Sequence, residues 1–183
     1  MSTMDKSKLS RAVVLGLLLT TGVYGSAEAV AYKNVVINGA NAMYQEYNTG
    51  TSTWDTKSVA TATILQSGNA IVYDATAGGT GGTTALTITS AGAATLDLSM
   101  VTITGAVANN NANLNLTVGT TTGAITTSGG TVTVKGETGL ITGANDTKIV
   151  MDGSGNAGGV NTVGTVTVNG TTATIGGTGV DNA

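Results

Sequence analysis

The chain has 183 residues and a formal net charge of −3, with 28 Gly and no Pro, Cys, His or Phe. Charged residues make up 9% of the sequence, against about 25% in an average soluble domain. This composition excludes a disulfide-stapled mini-protein, a Cys/His metal site, histidine-dependent catalysis, a basic nucleic-acid-binding surface and collagen.

Residues 1–29 are predicted to be a secretory signal peptide. The positively charged start contains Lys6, Lys8 and Arg11. A short apolar run over residues 12–23 follows, and Ala27 and Ala29 are the small residues at the cleavage position. The apolar run is too short to cross a hydrocarbon core of about 30 Å. We expect a helical signal segment, export across the inner membrane, and a mature chain at the cell surface or outside the cell.

The mature chain is predicted to be weakly acidic. Residues 30–183 keep four lysines, eight acidic residues and no arginine. Four scattered lysines cannot form a phosphate-binding surface, so no nucleic-acid partner is expected. No later stretch of about twenty apolar residues occurs, so no membrane span is expected in the mature part.

The composition changes along the mature chain. Residues 30–77 carry Trp54 and four tyrosines, and no aromatic residue follows Tyr73. Aromatic side chains suit a compact, non-repeating cap. The sequence therefore predicts an N-terminal cap over residues 30–77 and a Gly/Thr/Asn-rich β-repeat region over residues 78–183. The boundary is placed at the flexible-linker pattern of residues 78–82 (GGTGG).

Six short runs in the repeat region alternate apolar with polar residues, which predicts half-buried strands with Thr or Asn outside. The runs are residues 86–89, 96–98, 101–104, 114–118, 131–134 and 165–168. Gly, Asn and Asp clusters between them predict turns.

An internal repeat accompanies these strands. Residues 130–143 and 164–177 match at nine of fourteen positions, at a spacing of 34 residues. Repeats of 20–50 residues indicate a stacked solenoid. A spacing of 34 is long for one compact coil, so a bulging corner or more than one coil per repeat is required.

These patterns predict an all-β fold: a right-handed parallel β-helix with an N-terminal cap, whose narrow core is aliphatic. An antiparallel β-sandwich is the alternative, because Asn169-Gly170 between two alternating runs is a strong hairpin signal. A largely disordered Gly/Thr linker is a third reading, opposed by the positive mean hydropathy of +0.23 and the low charge.

No catalytic, cofactor-binding or metal-binding residues are predicted. Residues 152–156 (DGSGN) resemble the first half of a calcium loop, but the closing acid is missing at Val163, so a solvated turn is favoured. Glycan-acceptor patterns at Asn115, Asn145 and Asn169 are expected by chance in so Thr-rich a chain. The acids are dispersed, which disfavours a polysaccharide-active enzyme. Ice binding would require the Thr-X-Thr pairs to stack on one flat face; the pairs are Thr87/Thr89, Thr102/Thr104, Thr131/Thr133 and Thr165/Thr167.

With its export signal, its GTVTV repeats and its lack of Cys, the chain resembles the N-terminal part of a bacterial autotransporter or filamentous-haemagglutinin-type surface adhesin. The resemblance implies a β-helical passenger displayed outside the outer membrane. It also implies a secretion pore or C-terminal barrel that is not in this chain, and a host-cell, matrix or glycan surface as partner. The function expected is a non-enzymatic, adhesin-like surface protein; the alternatives are a polysaccharide-active β-helix enzyme and an ice-binding solenoid.

Overall fold

The computed structural model describes residues 29–77, 83–90, 94–144, 146–162, 164–169 and 174–175. The protein is 57% strand and 5% helix and forms a parallel β-solenoid of about 4 turns. The predicted signal segment as far as residue 28, and the predicted boundary at residues 78–82, lie outside the described residues.

Three antiparallel strands lie at one end of the solenoid: β1 (Ala31–Asn38), β2 (Asn41–Asn48) and β3 (Thr53–Ala60). The tight turn between β1 and β2 places Gly39 at a φ of 68°, a conformation in which glycine has no Cβ to clash. These strands form the cap.

The cap and the solenoid share strand β1. After β3 comes a single helical turn, α1 (Thr61–Ile64), and then strand β4 (Ala70–Val72), which pairs in parallel with β1. A 3-10 turn follows at Ala75–Ala77. Because β1 also pairs in parallel with the first rung strand, one sheet runs without a break from the cap into the solenoid.

The rungs of the solenoid have three faces. The first face contains β5 (Leu86–Ser90), β8 (Val107–Asn109) and β10 (Ile125–Thr127). The second contains β6 (Thr95–Leu98), β9 (Asn115–Val118), β11 (Thr131–Val134), β13 (Lys148–Met151) and β15 (Val166–Val168). The third contains β4, β7 (Thr102–Thr104), a bridge at Thr121, and β16 (Thr174–Ile175). Strands β12 (Glu137–Gly143) and β14 (Asn156–Thr162) bend from the third face to the first.

Successive rungs run parallel in every described pairing, which confirms the parallel β-helix and excludes the antiparallel sandwich. The hairpin signal at Asn169, on which the sandwich alternative rested, does not describe β15: this strand lies parallel to β13, and the Asn169 amide continues that pairing by donating to the Met151 carbonyl at 2.8 Å. Gly170 lies outside the described residues.

The core is a column of aliphatic side chains stacked from rung to rung. On the second face Leu116, Val132 and Ile149 lie in register, and each is no more than 1% exposed. Fully burying one such side chain contributes roughly 1.5–3 kcal/mol. All six alternating runs form strands, and in β5, β6, β7, β9 and β11 the apolar residues point inward as predicted. In β15 Val166 and Val168 remain 39% and 51% exposed, because no described rung follows on that face.

The 34-residue repeat corresponds to two turns. Thr131 pairs with Lys148, and Ile149 pairs with Val166, so rungs on the second face are 17 residues apart. The second halves of the repeat units do not superpose in the fold. Ile141 pairs with Val160 on the first face, whereas Ile175 pairs with Ala157 on the third.

Candidate functional site

Among the described residues, the aromatic side chains and the ion-paired side chains lie in the cap or directly beside it. Every described aromatic residue and every ion pair between described residues lies within residues 32–74. Four of these side chains contact one another on the side of the cap that faces away from the core. We call them the outer cap cluster: Lys33, Tyr47, Trp54 and Asp74.

The strand pairing of the cap brings the cluster together. Lys33 on β1 lies opposite Gln45 on β2, and Tyr47 on β2 lies opposite Trp54 on β3. Side chains at alternate positions of a strand share one face of a sheet. Because Tyr32 belongs to the hydrophobic core, its neighbour Lys33 points to the opposite, outer face.

Lys33 is the centre of the cluster. Its Nζ lies 3.0 Å from Asp74 Oδ2 and 4.7 Å from the centroid of the Trp54 ring. The Tyr47 and Trp54 rings meet edge to face, with centroids 5.3 Å apart. Tyr47 is 47% exposed. A cation over an aromatic face is worth about 0.5–1 kcal/mol at an exposed position.

Asp74 is held in place as an ionised carboxylate. Its Oδ1 accepts hydrogen bonds from the Thr76 hydroxyl at 2.6 Å and the Thr76 amide at 2.9 Å. These hydrogen bonds, together with the Lys33 ammonium, lower the pKa of Asp74 from 3.8 to about 2. The carboxylate therefore carries its charge at any physiological pH.

Asn34 fixes Asp74 against the cap. Asn34 is fully buried with a φ of 50°, at the irregularity where the β1–β2 register shifts. Asn is one of the few residues that tolerates this conformation. Its side chain donates to the Asp74 carbonyl at 2.8 Å and accepts from the Asp74 amide at 2.9 Å. This reciprocal pair positions the Asp74 side chain beside Lys33.

The inner face of the cap closes the end of the hydrophobic core. Tyr32 and Tyr44 pack edge to face with centroids 5.0 Å apart, and both contact the core cluster. Burial, followed by the charge of Glu46, raises the pKa of Tyr44. At the edge of the same face, Lys57 Nζ lies 3.5 Å from Asp55 Oδ2 and 4.0 Å from Glu46 Oε2.

The outer cap cluster combines two aromatic rings, a cation, a carboxylate and a phenolic hydroxyl. Such a surface can stack against apolar faces of a ligand and exchange hydrogen bonds with its polar groups. Its residue types do not form a metal site. Among the described residues, no group of three or more His, Cys, Asp or Glu side chains is placed to hold a metal ion.

The other motifs considered from sequence are dispersed over the rungs. Residues 152–156 form a tight corner in which the Gly155 amide donates to the Asp152 carbonyl at 3.0 Å and Gly153 has a φ of 61°. Asn115 and Asn169 are exposed on or beside the second face. Asn145, Val163 and the glycines of residues 78–82 lie outside the described residues.

The four Thr-X-Thr pairs do not share a face. Thr87/Thr89 belong to the first face and Thr102/Thr104 to the third, while Thr131/Thr133 and Thr165/Thr167 belong to or border the second. Between the two pairs on the second face lie Lys148 and Val150. The stacking condition for an ice-binding array is therefore not met by these pairs. Sequence reasoning missed Thr120/Thr122, which stack beside Thr102/Thr104 on the third face.

Sequence reasoning found the aromatic residues of the cap but not the residues that organise them. In the sequence, Lys33 and Asp74 belong to no motif and contribute only to the charge count, and no motif surrounds Asn34. Asn34 and Asp74 are 40 residues apart, so no local spacing connects them. Asn34 follows Lys33 and precedes the apolar residues 35–37, and this pattern gives no local signal of an irregular strand position.

Comparisons with known proteins identify no related protein. No protein-family model, no curated protein and no solved structure matches the chain significantly. Among the described residues, no helix is both long and apolar enough to cross a membrane.

Proposed function

We propose that this chain is an exported, non-enzymatic surface protein of adhesin type. In this proposal the solenoid is the body that displays the cap, and the outer cap cluster contacts a glycan, matrix or host-cell surface. The observation that supports this proposal most directly is that the cap and the rungs present different kinds of side chain. Aromatic rings and ion pairs of the described residues are confined to residues 32–74, whereas the rungs present mainly Thr, Asn and Gly.

The exposure of the cluster supports this role. Within the cluster, Tyr47 is 47% exposed and the Lys33 side chain is 37% exposed. Tyr73, the residue before Asp74, is 37% exposed beside it. Exposed aromatic residues beside polar groups are typical of binding surfaces, where they often contribute most of the affinity. The rungs suit a spacer, because each stacks only on its neighbours and the array can be long without a large core.

The binding test compares two truncations of exposed side chains. Purified wild-type chain is expected to bind one or more members of a panel of immobilised glycans, matrix proteins and fixed cells. Tyr47→Ala is expected to weaken that binding at least about tenfold, as truncating an aromatic hot-spot residue does. Met100→Ala is the matched control, because Met100 is an apolar side chain 58% exposed on the solenoid. Equal binding by Tyr47→Ala and wild type would contradict the role of the cluster.

Two further measurements separate the alternatives. N-terminal sequencing of the exported product is expected to give Val30 as the first residue, whereas a product retaining residues 1–29 would contradict the export signal.

Incubation with pectin- or glycan-type polymers is expected to release no product. Release of sugar products would favour the polysaccharide-active enzyme, and neither binding nor release would favour a purely structural spacer.

A further inference from the structure

Strand β3 is the last strand of its sheet, with β2 as its sole neighbour among the described strands. The Thr61 amide donates to the Ala40 carbonyl at 2.8 Å, in the same register as the β2–β3 ladder. In an antiparallel ladder, every second residue directs its backbone groups to the partner strand. Counting back from Thr61, the odd-numbered residues of β3 therefore bond to β2, and Trp54, Thr56 and Ser58 direct their N–H and C=O groups outward.

An outward-facing row of backbone groups is a template for another strand. The side chains decide which strand fits. Asp55 and Lys57 lie on one face of β3, two residues apart, and their side chains are 34% and 44% exposed. A lysine on an edge strand ordinarily opposes pairing. Here the neighbouring carboxylate makes the strand complementary to a second copy of itself.

The register follows from charge and from hydrogen-bond direction. Two copies of β3 paired antiparallel about Asp55 would oppose two carboxylates, and pairing about Lys57 would oppose two ammonium groups. Pairing about Thr56 places Asp55 of each copy opposite Lys57 of the other. It also places outward-directed residues opposite each other, with Thr56 facing its own symmetry mate and Trp54 facing Ser58.

We propose that two copies of this chain associate through their β3 strands, antiparallel and centred on Thr56. The cap sheets then join into one sheet across a two-fold axis, and the two solenoids extend away from it. The remaining side chains of β3 fit this arrangement. On the outer face, the small Ser58 lies between Met43, 36% exposed on its own strand β2, and the Trp54 ring of the second copy. On the other face, Asp55 and Lys57 exchange the contact they make within one chain at 3.5 Å for contacts across the axis.

The test uses charge reversal and measures mass by analytical ultracentrifugation over a range of concentrations. The wild-type chain is expected to show a monomer–dimer equilibrium. Asp55→Lys and Lys57→Asp, each alone, are expected to weaken dimerisation at least about tenfold, because each places like charges opposite each other twice per dimer. The double variant D55K/K57D is expected to dimerise like wild type. A mixture of the two single variants is expected to form a heterodimer, in which two lysines of one chain face two aspartates of the other.

Two controls keep the result specific. Lys148→Asp reverses a charge on the solenoid and is expected to leave dimerisation unchanged. Ser58→Pro removes an outward N–H without cutting the β2–β3 ladder, as proline permits on an edge strand, and is expected to abolish dimerisation while circular dichroism stays that of wild type. A wild-type chain that is monomeric at every concentration would overturn the proposal. So would single reversals that dimerise as tightly as wild type, or a mixture that forms no heterodimer.

Discussion

Buried polar side chains inside the solenoid form hydrogen bonds within their own rung or to the next rung. Asn109 donates to the Thr127 hydroxyl on the next rung at 2.9 Å, and Thr127 in turn donates to the Gly129 carbonyl at 2.9 Å. Thr121 differs. Its hydroxyl is buried without a hydrogen-bond partner, in the inward column that continues Ile71 and Ile103 on the third face. An unpartnered buried hydroxyl costs about 1–3 kcal/mol.

Thr121→Val is therefore expected to raise the free energy of unfolding by about 1 kcal/mol, because valine keeps the shape and removes the unpartnered hydroxyl. The measurement is the midpoint of urea unfolding. Thr126→Val is the control, since Thr126 is exposed on the first face and the change is expected to stay within about 0.5 kcal/mol. A less stable Thr121→Val would mean that the hydroxyl is used.

Asp74 makes the free energy of unfolding depend on pH, so that the fold loses stability as the pH falls through the acidic range. Because its pKa is lowered from 3.8 to about 2 in the folded chain, the unfolded chain binds the proton more readily. The stabilisation is complete above pH 3.8 and is lost as the pH falls towards about 2. Asp74→Asn is expected to flatten the fall of the urea midpoint in that window. An unchanged slope in Asp74→Asn would contradict the prediction.

At the scale of elements, glycines determine how closely the rungs approach at their corners. Gly105, Gly123, Gly139 and Gly158 form a column at the corner between the third and first faces. A Cβ on Gly123 would lie 2.3 Å from the backbone carbon of Gly105, whereas a Cβ on Gly158 would meet its nearest atom at 3.4 Å, an ordinary contact. Gly123 therefore has no room for a side chain, whereas Gly158 has room for a methyl group.

Gly123→Ala is accordingly expected to destabilise the chain by about 3 kcal/mol or more, because the backbone of two rungs must separate. Gly158→Ala, the same substitution in the same column, is expected to change stability by less than about 1 kcal/mol. Thermal unfolding of both variants beside wild type measures the difference. Similar melting temperatures for the two variants would contradict the close packing of this corner.

Element prediction succeeded where alternation was clear and failed where it was not. The runs behind β5, β6, β7, β9, β11 and β15 alternate apolar with polar residues. Strands β8 and β10 are only three residues long, with Asn109 and Thr127 facing inward, so their polar members hide the pattern. Strand β12 contains Gly139 at the point where the strand bends around a corner. Because glycine is uncommon within strands, its presence in the sequence predicts a turn there instead of a strand.

At the scale of the molecule, stability is expected to vary along the stack. Strand β11 has neighbours on both sides, β9 and β13. Strand β15 has a described neighbour on one side, and its valines are exposed. In stacked repeats, end rungs open more readily than central ones.

Hydrogen exchange followed by mass spectrometry is expected to show this gradient. Peptides covering β9 and β11 should exchange at least about tenfold more slowly than peptides covering β15. The cap strand β1, paired on both sides, should be as protected as the central rungs. Uniform protection from β9 to β15 would contradict the gradient and indicate that the whole stack opens as one unit.

The sequence by itself determined the β class, the outward Thr and inward aliphatic residues, and the concentration of aromatic residues before the repeats. These properties follow from local composition and from a period of two, which neighbouring residues express without help from the rest of the chain. Only the tertiary structure decided which face each strand occupies, that the repeat spans two turns, and that Asn34 holds Asp74 beside Lys33. Those features depend on contacts between residues a full turn or more apart, whose pairing is set by how the corners bend and the rungs stack.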